Sequence, residues 1–201
     1  KDKDRYSIRI NLQKKDIAHL EKFKNFINSK NKIYHKMTQF SKNSKKFEIC
    51  SIVIAGRKFV ENCKSYGITP AKTYNLTILN EELLNSKDFW RGVIDGDGSV
   101  MIKRNIKKQY YIPRIVLLSA SLNFIEQFQN YIEKYVTQLK HKIFIRKPKE
   151  EKNCKMYIID IIGRSAYQVI EYLYKDAEIY LDRKQNKAIQ ILQDYALKYK
   201  K

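Results

Sequence analysis

The chain repeats itself, and the repeat restricts its fold more than any other feature. Residues Tyr6–Ile27 (YSIRINLQKKDIAHLEKFKNFI) lie over Tyr111–Ile132 (YIPRIVLLSASLNFIEQFQNYI) at an offset of 105. Identities fall at Tyr6/Tyr111, Arg9/Arg114, Ile10/Ile115, Leu12/Leu117, Glu21/Glu126, Phe23/Phe128, Asn25/Asn130 and Ile27/Ile132. Each copy reads as a strand followed by a helix. Ile8, Ile10 and Leu12 alternate with polar residues at the strand period. Ile17, Leu20, Phe23 and Ile27 then recur at the helix period. The copies stay in step further on. Phe47–Cys63 matches Cys154–Ile170 at an offset of 107, around Ile54-Ala55-Gly56-Arg57 and Ile161-Ile162-Gly163-Arg164. That kernel reads as a strand ending at a glycine turn, then a helix. A Lys-rich hairpin precedes it in each copy. Order and spacing are both kept, which predicts an α/β (α+β) chain of two pseudo-symmetric αββαββα units with antiparallel sheets. The first unit is expected over residues 1–80 and the second over 81–201.

Charge bears on partners rather than on fold. Lys plus Arg outnumber Asp plus Glu by 41 to 21, a net charge of +20. Residues 1–90 and 91–201 each carry half of it, so no basic tail is appended to a neutral domain. A polyanion such as DNA or RNA is the expected partner. No apolar run approaches the ~18 residues that cross a membrane, so no membrane partner is expected. Cys50, Cys63 and Cys154 share no metal spacing and read as buried thiols in a reducing, intracellular compartment.

The second unit opens with an apolar helix that ends in two acids, FWRGVIDGDGSV over residues 89–100. Gly92 and Gly96 lie four apart on one helix face, at a cost of about 1 kcal/mol each relative to Ala. Such a pair suits a second backbone approaching closely, from the counterpart helix of the first copy or from a second chain. Subtracting the repeat offset from Asp97 gives 97 − 105 = −8, so that counterpart is expected upstream of Lys1. An upstream segment of about 20–25 residues would hold it. Two such helices side by side would bring their terminal carboxylates together, which is costly unless a cation sits between them. Mg²⁺, which takes few protein carboxylates and completes its shell with water and phosphate, suits that place. A calcium loop starting at Asp95 fails, because Val100 and Ile106 stand where it needs Gly and Glu.

WRGVIDGDGS resembles the signature of the LAGLIDADG homing endonucleases, with Trp90 at its first position, Gly92 at the first glycine and Asp97 at the final acid. The duplication around it is similar to the single-chain, two-copy members. The resemblance implies a pseudo-symmetric saddle, paired motif helices at the centre, and Mg²⁺ bound by each motif's last acid at the scissile phosphates. Mn²⁺ or Ca²⁺ would substitute for binding. Here that acid is Asp97, with Gly96 beside it in the metal set. Arg91 departs from the pattern, which prefers a small residue there.

The resemblance also implies a basic or amide residue near each acid, and Gln13, Lys72 and Lys184 are the candidates. DNA-facing strand positions are expected at Arg5, Arg9, Lys32, Tyr34, Lys36 and Thr38 in the first unit. In the second they are Lys103, Arg104, Lys107, Lys108, Arg114, Lys142, Phe144 and Arg146. The implied activity is site-specific, Mg²⁺-dependent double-strand cleavage at a long asymmetric DNA target, by a monomer with internal pseudo-two-fold symmetry. It would act inside a microbial or phage-infected cell or an organelle, in intron or intein mobility. The alternative is a cleavage-inactive binding protein of the same fold, an intron RNA maturase or a DNA-binding regulator.

Overall fold

A computed structural model describes residues 6–39, 44–67, 76–105, 110–146 and 155–199. The chain divides into two compact units, Lys1–Ser65 and Tyr66–Lys201. The division falls earlier than the expected 80/81 boundary for a physical reason. Ile78 is buried in the core of the second unit. The Gln127 amide pairs with both the N–H (3.0 Å) and the C=O (2.8 Å) of Ile78. Ser121 Oγ donates to the Leu76 carbonyl at 2.7 Å. The segment leading into the second unit is therefore part of it.

The first unit runs β1 (Ser7–Gln13), one 3₁₀ turn, α1 (Ile17–Phe26), β2 (Ile33–Thr38), β3 (Phe47–Ala55) and α2 (Arg57–Ser65). Its sheet is antiparallel, in the order β1-β3-β2. Alternation sends Ile10, Leu12, Cys50, Ile52, Ile54 and Ile33 to one face, where they pack with Leu20, Phe23 and Ile27 of the α1 segment. Burial pushes the Cys50 thiol up in pKa, and its Sγ donates to the carbonyls of Leu12 and Gln13, each at 3.5 Å. Cys63 is half-buried, and Cys154 lies outside the described residues.

The second unit runs α3 (Glu81–Leu84), α4 (Lys87–Asp97), β4 (Ser99–Asn105), β5 (Tyr110–Ser119), α5 (Leu122–Tyr135), β6 (Ile143–Arg146), β7 (Met156–Ile162), α6 (Gly163–Tyr174) and α7 (Asp182–Tyr199). Its antiparallel sheet has the order β4-β5-β7-β6. From α4 to α6 this is the expected αββαββα unit, with α7 added. Trp90 is fully buried, with ring centroids 5.2–5.7 Å from Phe124, Phe128 and Tyr131, and its Nε1–H donates to the Leu84 carbonyl. Ser86 caps α4 by accepting from the Phe89 N–H, and Ser121 caps α5 through the Phe124 N–H. The mixed α/β class with antiparallel sheets agrees with the sequence reading.

Two differences between the copies stand out. Three strands form the first sheet among the described residues, where four were expected, because β1 is the counterpart of β5 rather than of β4. The copies also differ in register. Arg9 pairs with Val53, whereas Arg114 pairs with Ile162, two residues beyond the repeat equivalent Asp160. A two-residue shift leaves every side chain on its original face. Both strand-to-helix corners fall on glycine, and Gly163 at φ +67° needs it for conformation, since an added Cβ would meet nothing within 4 Å. Among the described residues, no helix is long and apolar enough to cross a membrane.

Candidate functional site

The end of α4 is held by buried polar groups. Lys184, in the first turn of α7, is 4% exposed and donates from Nζ to the carbonyls of Ile94 (2.6 Å), Asp95 (2.7 Å) and Gly98 (2.7 Å). These carbonyls lie at the helix C-terminus, where a cation is favoured by the helix dipole, and the Ile94 carbonyl also accepts from the Gly98 N–H at 3.0 Å. Asp95 is 5% exposed and accepts from Tyr174 Oη at 2.6 Å and from the Leu181 N–H at 2.9 Å. Burial, reinforced by the Asp95 charge, raises the Tyr174 pKa, so the phenol stays a donor. Arg91, also buried, donates to the carbonyls of Ile179 (2.9 Å) and Leu173 (3.4 Å) and pairs with Asp88 at 2.7 Å. It thus ties α4 to the end of α6 and the connection beyond it. The chain leaves the helix through Gly98, where a Cβ would lie 2.8 Å from Ile94 Cα.

Asp97, the last residue of α4, is exposed and has no described partner. Gly92 and Gly96 are exposed as well, in line with Asp88, and a Cβ on either would meet nothing within 4 Å. The motif's two acids therefore part company: Asp95 faces the unit's interior and Asp97 faces outward. Lys184, expected as a basic partner beside the acid, instead spends its three N–H donors on backbone carbonyls. Its position is that of a helix cap, and the Gly96 carbonyl is not among its acceptors. Among the described residues, no group of three His, Cys, Asp or Glu side chains could hold a metal. A single exposed carboxylate fits Mg²⁺ only as one ligand, with the rest coming from water, phosphate and further acids.

The outward sheet faces gather most of the other expected residues. In the first unit Arg9, Asn11 and Gln13 of β1 share a face with Ile49, Ser51 and Val53 of β3 and with Tyr34, Lys36 and Thr38 of β2. Lys32 precedes β2 in the same alternation. Gln13 closes the β1 row and is exposed. No described residue pairs with Arg9. In the second unit Lys103, Arg114, Phe144 and Arg146 share the outward face with Met101, Ile162 and Asp160. The Lys142 ammonium lies 5.7 Å from the Phe144 ring centroid. Arg5, Lys72, Lys107 and Lys108 lie outside the described residues, as does the side chain of Arg104.

One partner on this face is new. Asp160 lies diagonally across from Arg114 and accepts a two-pronged fork, from Nε to Oδ1 at 2.7 Å and from Nη2 to Oδ2 at 2.5 Å. The bond to the carboxylate raises the Arg114 pKa. The signal was present in the sequence: IIDII puts a lone acid at an outward strand position of a chain with net charge +20.

Comparisons agree with this architecture. A family model described as "LAGLIDADG-like domain" matches residues 85–171, from the entry of α4 into α6. No curated protein matches the sequence. The structure of the homing endonuclease I-WcaI bound to its DNA recognition sequence is similar, with a TM-score of 0.57 and 13% identity, over 90% of this chain and 74% of that one. So is the LAGLIDADG meganuclease I-AabMI bound to uncleaved DNA, with a TM-score of 0.53 and 12% identity, over 96% of this chain and 83% of that one. At these identities the likeness is one of fold. Residues 85–171 match the LAGLIDADG-like domain model, and the chain shares its fold with the LAGLIDADG homing endonuclease structures.

Proposed function

We propose that the chain is a site-specific double-strand DNA endonuclease of the homing type, hydrolysing phosphodiester bonds with Mg²⁺ at a long asymmetric target. The observation that carries this reading is Asp97. It is a carboxylate with no described partner, at the end of a helix whose Ile94, Asp95 and Gly98 are buried and tied down. Nothing within the described second unit explains its exposure beside two helix glycines, whereas a metal-binding role does.

In this account Asp97 would hold the ion, with the Gly96 carbonyl available beside it and a second acid supplied by the counterpart helix. When bound, Mg²⁺ would supply an activated water and stabilise the leaving oxygen. Lys184, Asp95 and Tyr174 fix the backbone from which Asp97 projects, and such fixing is what a preorganised site needs. Gln13 and Lys72 remain proposed helpers in ordering water or steadying phosphate. The outward sheet faces, rich in Arg and Lys, would lie along DNA as a monomer with internal pseudo-two-fold symmetry. Phosphate contacts would supply affinity and strand side chains preference.

The test is a randomised duplex pool incubated with the protein in Mg²⁺ or in EDTA. Double-strand ends should appear at one recurring sequence in Mg²⁺ alone. Sequence-selective binding with no ends in either condition would support a cleavage-inactive binding protein instead. Ends formed equally in EDTA would remove the metal from the mechanism.

A further inference from the structure

We propose that Asp160 is a positioning residue for base recognition, holding Arg114 so that its remaining fork reads one guanine; this rests on the DNA-reading account given above. An arginine alone on an outward strand of a basic sheet binds phosphate readily and without sequence preference. Arg114 is not alone. Its side-on donors, Nε–H and one Nη2–H, are taken by the two oxygens of Asp160. Of five guanidinium donors, three remain: two on Nη1 and one on Nη2. The end-on Nη1–H and Nη2–H pair runs parallel and meets two acceptors side by side. Guanine offers that arrangement in the major groove, through O6 and N7.

The carboxylate does two further things. It cancels the charge that would draw Arg114 to the backbone, and its own charge repels phosphate. It also removes rotamer freedom, since the side chains are 34% and 22% exposed and the fork joins two adjacent strands.

The repeat supplies an internal comparison. Arg9 occupies the position of Arg114 in the first unit, faces Val53, and has no described partner. Ser51 stands where the pairing register of the first sheet would place the acid. Among the described residues nothing holds Arg9 back from serving as a phosphate anchor, whereas Asp160 holds Arg114. The two copies would thus read their halves of a target differently at this point.

The experiment is selection from a randomised duplex pool by wild type, Asp160→Ala, Asp160→Asn and Arg114→Ala, with circular dichroism confirming that each folds. Titrations of the selected and unselected duplexes at several salt concentrations follow. Wild type should fix one G·C pair that all three variants leave unconstrained, with the remaining positions unchanged. Discrimination at that pair should fall about ten-fold or more. Asp160→Ala should also bind the unselected pool more tightly, with a log K against log salt slope steeper by about one, as the released Arg114 turns to phosphate. Asp160 variants that keep the base preference, or that lose affinity equally for every duplex with no position relaxed, would overturn the proposal. A wild-type protein that enriches no sequence overturns the DNA-reading account itself, and this inference with it. That failure shows before any variant is made.

Discussion

Two carboxylates two residues apart on a helix point in opposite directions, and here that separates scaffold from site. Asp95 and Lys184 are buried at the base of α4, and each is committed to hydrogen bonds. Lys184→Met keeps the apolar stem and removes the ammonium from the Asp95 and Gly98 carbonyls, while the Ile94 carbonyl keeps the Gly98 N–H, so stability should fall by about 2 kcal/mol or more. Urea denaturation followed by circular dichroism measures this, and a change within about 0.5 kcal/mol would contradict the capping role. His141 gives a pH dependence. Burial lowers its pKa, against an opposing influence from Glu133, and its Nε2 has no partner among the described residues. The unfolded chain therefore binds that proton more readily than the folded one. Stability contributed by neutral His141 is present above the unfolded value of about 6.5 and is lost as the pH falls from there through the lowered folded value. Denaturation midpoints should decline from pH 7 to pH 5, and less steeply in His141→Gln; parallel profiles would exclude His141. The sequence already set Asp97 apart from Asp95 as the metal acid and could not show what buries Asp95 and caps the helix end. That depends on α7, whose Lys184 sits about ninety positions away in the chain.

Elements were more legible than side-chain partners. Strand alternation in Ile8–Leu12 and helix spacing in Ile17–Ile27 depend only on local period, and β1 and α1 follow them. Arg91 was harder, because it departs from the family pattern on a face that meets α6 and the following connection rather than the glycine stripe. The glycines divide by mechanism. Gly163→Ala forces a left-handed φ of +67° on a residue with a Cβ and should cost about 1–2 kcal/mol. Gly92→Ala adds helix propensity where nothing described lies within 4 Å, and should stabilise this chain by about 0.5–1 kcal/mol. Thermal melts of both variants read the signs directly. A destabilising Gly92→Ala would place another group against that face within this chain.

At the scale of the whole molecule, the duplication was visible because insertions had not blurred its two offsets. What it hid was register: the copies align in sequence with Arg9 over Arg114 and Val53 over Asp160, yet pair differently by two residues. Strand pairing is set between segments, so a repeat read along one strand at a time does not report it. The shift sets the Arg114–Asp160 fork on a diagonal instead of directly across the strands, and the asymmetry proposed between the two reading faces rests on the first copy having no acid at either place, Val53 or Ser51. The boundary near residue 65, rather than 80, likewise depends on Ile78 joining a core that is assembled from distant segments. The account as a whole stands on the exposed acid at the end of α4. Its most direct test is Asp97→Asn, assayed on the duplex that the wild type selects, for binding in Ca²⁺ and for double-strand cleavage in Mg²⁺. The account predicts that cleavage is abolished while binding stays within a few-fold of wild type. Cleavage at the wild-type rate by the variant would contradict it.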